Sequence, residues 1–500
     1  MMKNVNRTPR SWKLFKYLHK LWTCTRSQAQ TIETQDSARD PTSYTCTPRA
    51  IFHVFLCRTL LTASTLLLSA AHGVEISTNQ LPEGAQMSYL DNEQIKVGVD
   101  LKRGGAIVFL APANGENLVN NFDLGRQIQL SFYSGPIPFE SKGQRPIKHW
   151  EHIGWNPIQT GDDFDNPSRI LAHSNDGYTL YVKTTPMQWP LNNIPGECTF
   201  ESWLEIEGAV LKAKARLNNA RTDHTQYQAR LQELPAMYAN ATLHRVLSYT
   251  GIHPFTGQPA SPAPAASGQH PWSMWLGTEH WAALLNTNDW GLGLITPGRI
   301  HFTGGFAGQP GHNRTLGNAT GYLAGQGTEL IDHNITYTFE YEIVVGSLDE
   351  IRARAATHQS KTLPAWTFDN DRQGWHYLKA GDAGWPIKKH LHIALEQEDP
   401  QLISPFFCVS AKNTSRLVIE AAYNSPHRHA TLFWQRHGEA APTALNRVTF
   451  PINADHQFHR YVIDLAAEKE YYGAITRLRL DPVPTGKSGD WVKIRSIRFE

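Results

Sequence analysis

The strongest constraint on this chain is a period of two. From Phe200 to Leu217 the sequence reads FESWLEIEGAVLKAKARL, with apolar and polar residues alternating on both sides of Glu207-Gly208. That is the pattern of two antiparallel strands joined by a tight turn, each with one buried face and one polar face. The alternation returns in Ile95, Val97, Val99 and Leu101 before a Gly104-Gly105 turn, in Ile128, Leu130 and Phe132, and in Tyr178, Leu180 and Val182. Long strands of this kind need a second sheet over the apolar face and leave the polar face to solvent or a ligand. With 500 residues the chain exceeds the ~250–300 at which a single core stops growing, so at least two domains are expected. A hydrophobic content of 40% against 18% charged residues rules out a disordered chain. The fold class expected is all-β.

Charge is unevenly spread. Of 47 basic and 45 acidic residues, 10 basic and 3 acidic fall within residues 1–60, so the remainder carries a small net negative charge that offers no broad attraction to nucleic acid. The run Thr59–Ala71 is apolar, follows Arg58 and ends at Ala71-His72-Gly73, small residues that a signal peptidase reads. Residues 1–73 are therefore expected to be an N-terminal extension and signal peptide, the mature chain to start near Val74, and the protein to be secreted or periplasmic. The run is too short and too rich in Ser and Thr for a stable membrane span of ~20 residues. Of the five cysteines only Cys198 and Cys408 lie beyond the leader, too few for a disulfide framework and without metal-site spacing, which suits two inert buried thiols.

Residues 258–271 form a Pro/Ala/Ser-rich stretch, and residues 301–327 a Gly-rich one expected to be a long loop. Ser347-Leu348-Asp349-Glu350 fits a capping box opening a short helix. It closes a first domain over residues 85–357; a second, over residues 366–500, contains evenly spaced strands and no long helix, as in a two-sheet jelly roll. The opening WTFDNDRQGW and closing ITRLRLDPVPTGKSGDWVKIRSIRF of that segment resemble the carbohydrate-binding-module type of jelly roll appended to secreted polysaccharide-degrading enzymes. LDNEQIKVGVDLKRGGAIVFL, in turn, resembles the first strands of the galactose-mutarotase-like supersandwich of many carbohydrate-active proteins. The resemblance implies a sugar-handling β protein and carries over no catalytic residue.

The chain lacks a GxSxG elbow, a P-loop, HExxH and a well-placed GxGxxG, so candidates for chemistry are carboxylates and aromatic residues. Glycosidic cleavage needs two carboxyl groups flanking the bond. Glu233, in ARLQELPAMY, is the first candidate, because Pro235 should end the strand there and the apolar frame would raise its pKa; Glu201 and Asp163 are the candidate partners. If Ile128, Leu130 and Phe132 face the core, then Gln127, Gln129, Ser131 and Tyr133 share the other face, with Arg126 beside them to clamp a carboxylate or hydroxyl pair. Trp155 and Tyr238, together with Trp150, Trp189 and Trp203, offer rings for stacking on a sugar. Glu279, His280 and Trp281 bring a carboxylate, an imidazole and a ring together. Asp162-Asp163, in the turn-rich loop Gly161–Ser168, suits backbone capping or a structural calcium, with no other metal or cofactor expected.

These features predict a glycoside hydrolase acting on a poly- or oligosaccharide. Two alternatives compete: a polysaccharide lyase using Tyr or His with Arg126, against which the net negative charge weighs slightly, and a non-catalytic glycan-binding protein.

Overall fold

The computed structural model describes residues 80–500 apart from Ala265, residues 267–270 and residues 312–313. The expected leader and cleavage site lie outside the described residues. The fold is all-β: a large antiparallel supersandwich followed by a smaller jelly-roll sandwich. Among the described residues no helix is long and apolar enough to cross a membrane.

Two facing sheets of ten and nine strands use residues from Met87 to Ser347. The alternation read from the sequence decides what lies between them. Val97, Val99, Ile128, Leu130 and Phe132 from the first sheet meet Phe200, Leu204, Leu211 and Leu217 from the second in one core. Phe132 sits 5.4 Å from Phe200 and 6.3 Å from Phe339 between ring centroids, so the sheets interdigitate as in other sandwiches. Each such buried side chain contributes about 1.5–3 kcal/mol. Glu207-Gly208 turns the hairpin as expected, with Gly208 at φ 58°. At the other hairpin Gly104 takes φ 60°, and a Cβ there would lie 1.9 Å from the Gln159 carbonyl oxygen, so only glycine fits.

Two sequence expectations fail here. The Gly-rich stretch 301–327 is largely sheet: strands His301–Ala307 and Thr320–Glu329 pair with each other, and the latter with Arg230–Ala239. Its glycines mark close approach of neighbouring chain; a Cβ at Gly305 would meet the Pro271 carbonyl oxygen at 2.2 Å. Pro235 does not end its strand either. Arg230–Ala239 is continuous, and Leu234-Pro235 sits in a bulge: Glu233 pairs with Gln326 and Ala236 with Ala324, so that two residues lie opposite one, Gly325.

The capping box forms as read. Ser347 Oγ accepts from the Glu350 amide and the Glu350 carboxylate accepts from the Ser347 amide, opening the helix Leu348–Ala356. Its Ile351 and Ala355 cover the outer face of the nine-stranded sheet, where Trp281 is buried. From Ala365 onward two six-stranded sheets enclose a second core around Trp375, Tyr423 and Trp434. The two sandwiches are joined by buried polar groups. Arg372 of the second forms ion pairs with Asp332 of the first at 2.7 Å and with Asp382 at 2.6 Å. Cys198 is buried and Cys408 half-buried; both are free, and burial pushes both thiols up, that of Cys408 to about 11.

Candidate functional site

Along the centre of the ten-stranded sheet run Ile128–Ser131, Arg230–Ala239, Thr320–Glu329 and His301–Ala307, in that spatial order. Cross-strand partners point to the same side. Ser131, Glu233 and Gln326 form one such row, and Tyr238 and Tyr322 another. All project away from the core, which Leu130, Leu234, Met237 and Leu323 enter from the opposite face. The bulge explains why Glu233 and Tyr238, five residues apart, share a face. In a regular strand an odd spacing would put one of them in the core, and the extra residue restores the parity.

Glu233 is the focus of this face and keeps partial contact with solvent. Tyr133 Oη donates to its Oε2 at 3.0 Å, Tyr322 Oη donates to Oε1, and Ser131 adds a further bond. Burial pushes the Glu233 carboxyl up, outweighing these donors, which favour the ionised form. Burial and the nearby Glu233 charge push the phenols of Tyr133, Tyr238 and Tyr322 up as well. Tyr322 is flanked by Tyr238 at 4.6 Å and Trp272 at 4.9 Å. The result is an aromatic wall around one carboxyl group.

The amides of this face work differently from expectation. Gln127 and Gln129 are buried, and their Nε2 groups donate to the carbonyls of Asp123 and Leu124, at 2.6 and 3.3 Å. They hold the 123–126 turn over the sheet face rather than presenting amides to a ligand. Gln129 Oε1 also accepts from Thr160 Oγ1 at 2.7 Å, which brings the following loop to the same side. Arg126, on that turn, donates to the backbone and side-chain oxygens of Asn318, both at 2.6 Å, and its charge reaches the Tyr238 phenol.

On the loop, Trp150 Nε1 donates to Asp163 Oδ2 at 2.7 Å, and Trp150 meets Trp189 edge-on at 5.8 Å. Burial lifts the Asp163 carboxyl to about 6, with Trp150 pulling it down and the charges of Asp123, Asp162 and Asp165 adding to the rise. Asp123 touches both halves of the site electrostatically, since its charge acts on Asp163 and on Tyr238.

Several expected site residues lie elsewhere. Glu201 is on the nine-stranded sheet, on the face opposite Phe200 and Leu204, where Tyr181 Oη and Asn218 Nδ2 donate to it at 2.6 Å each. It and Glu233 therefore stand on opposite outer faces of the sandwich and cannot flank one bond. Trp155 is 1% exposed and part of the core, with the Arg221 guanidinium 5.0 Å from its ring centroid, so it reaches no ligand. Glu279 accepts from Trp281 Nε1 at 2.9 Å and from Arg352 at 3.1 Å, pinning the capped helix to its sheet. His280, in a turn at φ 64°, stacks on Phe255 at 6.0 Å on that same side of the molecule. None of these three faces Glu233. Asp162 caps backbone: its Oδ1 accepts from the amides of Phe164 and Asn166 at 2.9 and 3.0 Å, and its Oδ2 from Asn193 at 2.7 Å. Calcium would have to displace these donors, and among the described residues no cluster of His, Cys, Asp and Glu forms a metal site. Tyr322 and Trp272 were missed, since the first lies in the Gly-rich stretch read as a loop. The one available signal was the alternation of Tyr322, Ala324 and Gln326 against Leu323.

No family model and no curated protein sequence matches the chain. Among solved structures the chain is similar to a galactose mutarotase-like protein from Lactobacillus casei ATCC 334, with 10% identity over 52% of this chain and 100% of that one and a TM-score of 0.34. It is similar to a galactose mutarotase related enzyme from Lactobacillus acidophilus, with 12% identity over 52% and 98% and a TM-score of 0.31. It is also similar to a low affinity xylan binding module from Roseburia intestinalis, with 13% identity over 28% and 95% and a TM-score of 0.20. At these identities and TM-scores the likenesses carry no argument about what this chain does.

Proposed function

We propose that the protein is a secreted glycoside hydrolase that binds a poly- or oligosaccharide across the outer face of the ten-stranded sheet. Glu233 would protonate the leaving oxygen and Asp163 would supply the second carboxyl group. The observation that carries this reading is Glu233 itself: a carboxyl pushed up by burial, on a residue that keeps partial solvent exposure, and framed by Tyr133, Tyr238 and Tyr322. Burial favours the protonated form of this carboxyl, and a positioned acid is what a departing alkoxide needs. The phenols are pushed up too, which weakens the alternative of a lyase using a tyrosinate as base. Trp150 and Trp189, bordering Asp163, supply rings against which a sugar can pack. Secretion rests on the apolar run Thr59–Ala71 with its basic flank.

Screening the mature chain against neutral and acidic glycans tests this directly. The expected result is new reducing ends, lost by at least a hundredfold in Glu233→Gln with the melting transition preserved. An ultraviolet-absorbing unsaturated uronate would identify a lyase, and binding without turnover a non-catalytic protein.

A further inference from the structure

Next to Glu233, on the same face, the second sandwich closes over the sheet. Gln326, the cross-strand partner of Glu233, and His301 line a cleft of about 290 Å³ whose opposite wall includes His376, Phe406 and Arg477. That is near the lower end of ligand-site volumes and suits one sugar ring or its substituent.

Arg477 is the unusual group. Its Nε donates to the Ser404 carbonyl at 3.2 Å, one terminal nitrogen donates to His376 Nε2 at 3.3 Å, and the guanidinium lies 4.3 Å from the Phe406 ring centroid. Among the described residues no carboxylate pairs with it, and burial lowers it to about 10. A guanidinium has five N–H donors, so three are left.

The other charged groups in the cleft have partners. Glu329 accepts from Tyr337 Oη at 2.8 Å and Tyr337 accepts from Arg299 at 3.1 Å; burial pushes the Glu329 carboxyl up, and the Arg299 charge opposes that rise. His376 accepts from Arg477 at Nε2 while its Nδ1 faces the Gly374 carbonyl at 3.3 Å, so the ring is the neutral tautomer with its proton on Nδ1. His301 packs on Phe406 at 4.9 Å, and burial and then the Arg477 charge hold it down, at about 4. Arg477 is left as the uncompensated cation of a half-dry cleft, and burying a charge without a counterion is costly unless a ligand supplies one.

We propose that this cleft is an oxyanion subsite in which Arg477, assisted by Gln326 and His301, binds a carboxylate or sulfate ester carried by a sugar. Guanidinium N–H groups can match two oxygens of such an anion, and three of those of Arg477 are not engaged by Ser404 or His376. The substrate class becomes an acidic saccharide, despite the slightly negative charge of the whole chain, because the field inside a cleft is set by its own walls. This rests on the proposed function only for laying the sugar across the sheet.

The test uses the mature Glu233→Gln protein, so that binding is read without turnover. Titration calorimetry compares uronate-containing, sulfated and neutral oligosaccharides of equal length. One acidic series should bind at least tenfold more tightly than the neutral one and identifies which oxyanion is taken. Adding Arg477→Gln should abolish that preference and leave neutral binding in place. Gln326→Met, on the opposite wall, should reduce it severalfold and serves if Arg477→Gln does not fold. Equal affinity for acidic and neutral ligands, or a preference that survives in every folded variant, overturns the proposal. Failure of the hydrolase reading would appear separately, as absent turnover in the unmodified protein.

Discussion

Removing Arg372 should test what holds the second sandwich over the site. Its side chain is 4% exposed and the carboxylates it pairs with, Asp332 and Asp382, are 3% and 1% exposed. Gln226 completes the junction, its Nε2 donating to Asp332 at 3.0 Å and to Asp382 at 2.7 Å. Arg372→Leu leaves two buried carboxylates facing each other without a cation, a loss of about 3–5 kcal/mol. At a urea slope of about 2 kcal/mol per molar, the unfolding midpoint should fall by about 2 M. The pH dependence gives a sharper check. Burial alone would push the Asp382 carboxyl up, but the Arg372 bonds and charge outweigh it and hold it below its ordinary value. In the intact protein this group therefore contributes stability above its unfolded value of about 3.9, lost as pH falls through the folded one. Without Arg372 burial is opposed only by hydrogen-bond donors, among them the Gln226 and Gly384 N–H groups; the folded value should then rise above the unfolded one, and the variant should lose stability as pH rises. The gap between the two proteins, already open near about pH 4.5 through the intact pair, should widen further toward about pH 7, and Asp332→Asn with Asp382→Asn should recover part of it. A gap under about 1 kcal/mol, or one equal at both pH values, would refute the reasoning. Because the junction sets the cleft wall, Arg372→Leu should also weaken binding of the acidic ligand.

Asp163, lifted to about 6, must be ionised to act as base or nucleophile, so activity should fall as pH drops through about 6. Trp150→Phe removes the donor that stabilises its anion, and the acid limb of the kcat/KM profile should move to higher pH; an unmoved limb would dissociate Asp163 from the reaction. Deleting Pro235 removes the extra residue of the bulge and turns either Glu233 or Tyr238 toward the core. Turnover should be lost, along with several kcal/mol of stability for burying a polar group; retained activity would show that the shared face is not required. Glu233→Gln and Arg477→Gln, described above, separate catalysis from charge recognition.

Much of the frame could be read in the chain. Alternation in Ile128, Leu130 and Phe132 fixed the inward face and, with it, the outward row of Gln127, Gln129, Ser131 and Tyr133. Whether an outward polar residue meets ligand was not readable, because Gln127 and Gln129 are covered by the 123–126 turn, which their own side chains hold in place. Composition suggested a loop for residues 301–327, where glycines instead allow strands to lie against neighbouring backbone. Glu201 had the right chemistry and a correctly read outward face, but the face belonged to the other sheet.

Local order thus came from the sequence: strand periodicity, the hairpin turns, the capped helix Leu348–Ala356 and two β-rich segments, since each depends on residues a few positions apart. Tertiary structure decided which strands adjoin and therefore which outward faces coincide. It joined Tyr322 to Glu233 across 89 residues and brought Arg477 into one cleft with Gln326. The physical reason is that backbone periodicity fixes the side of a strand on which a residue sits, whereas pairing and burial between distant segments fix what that side meets.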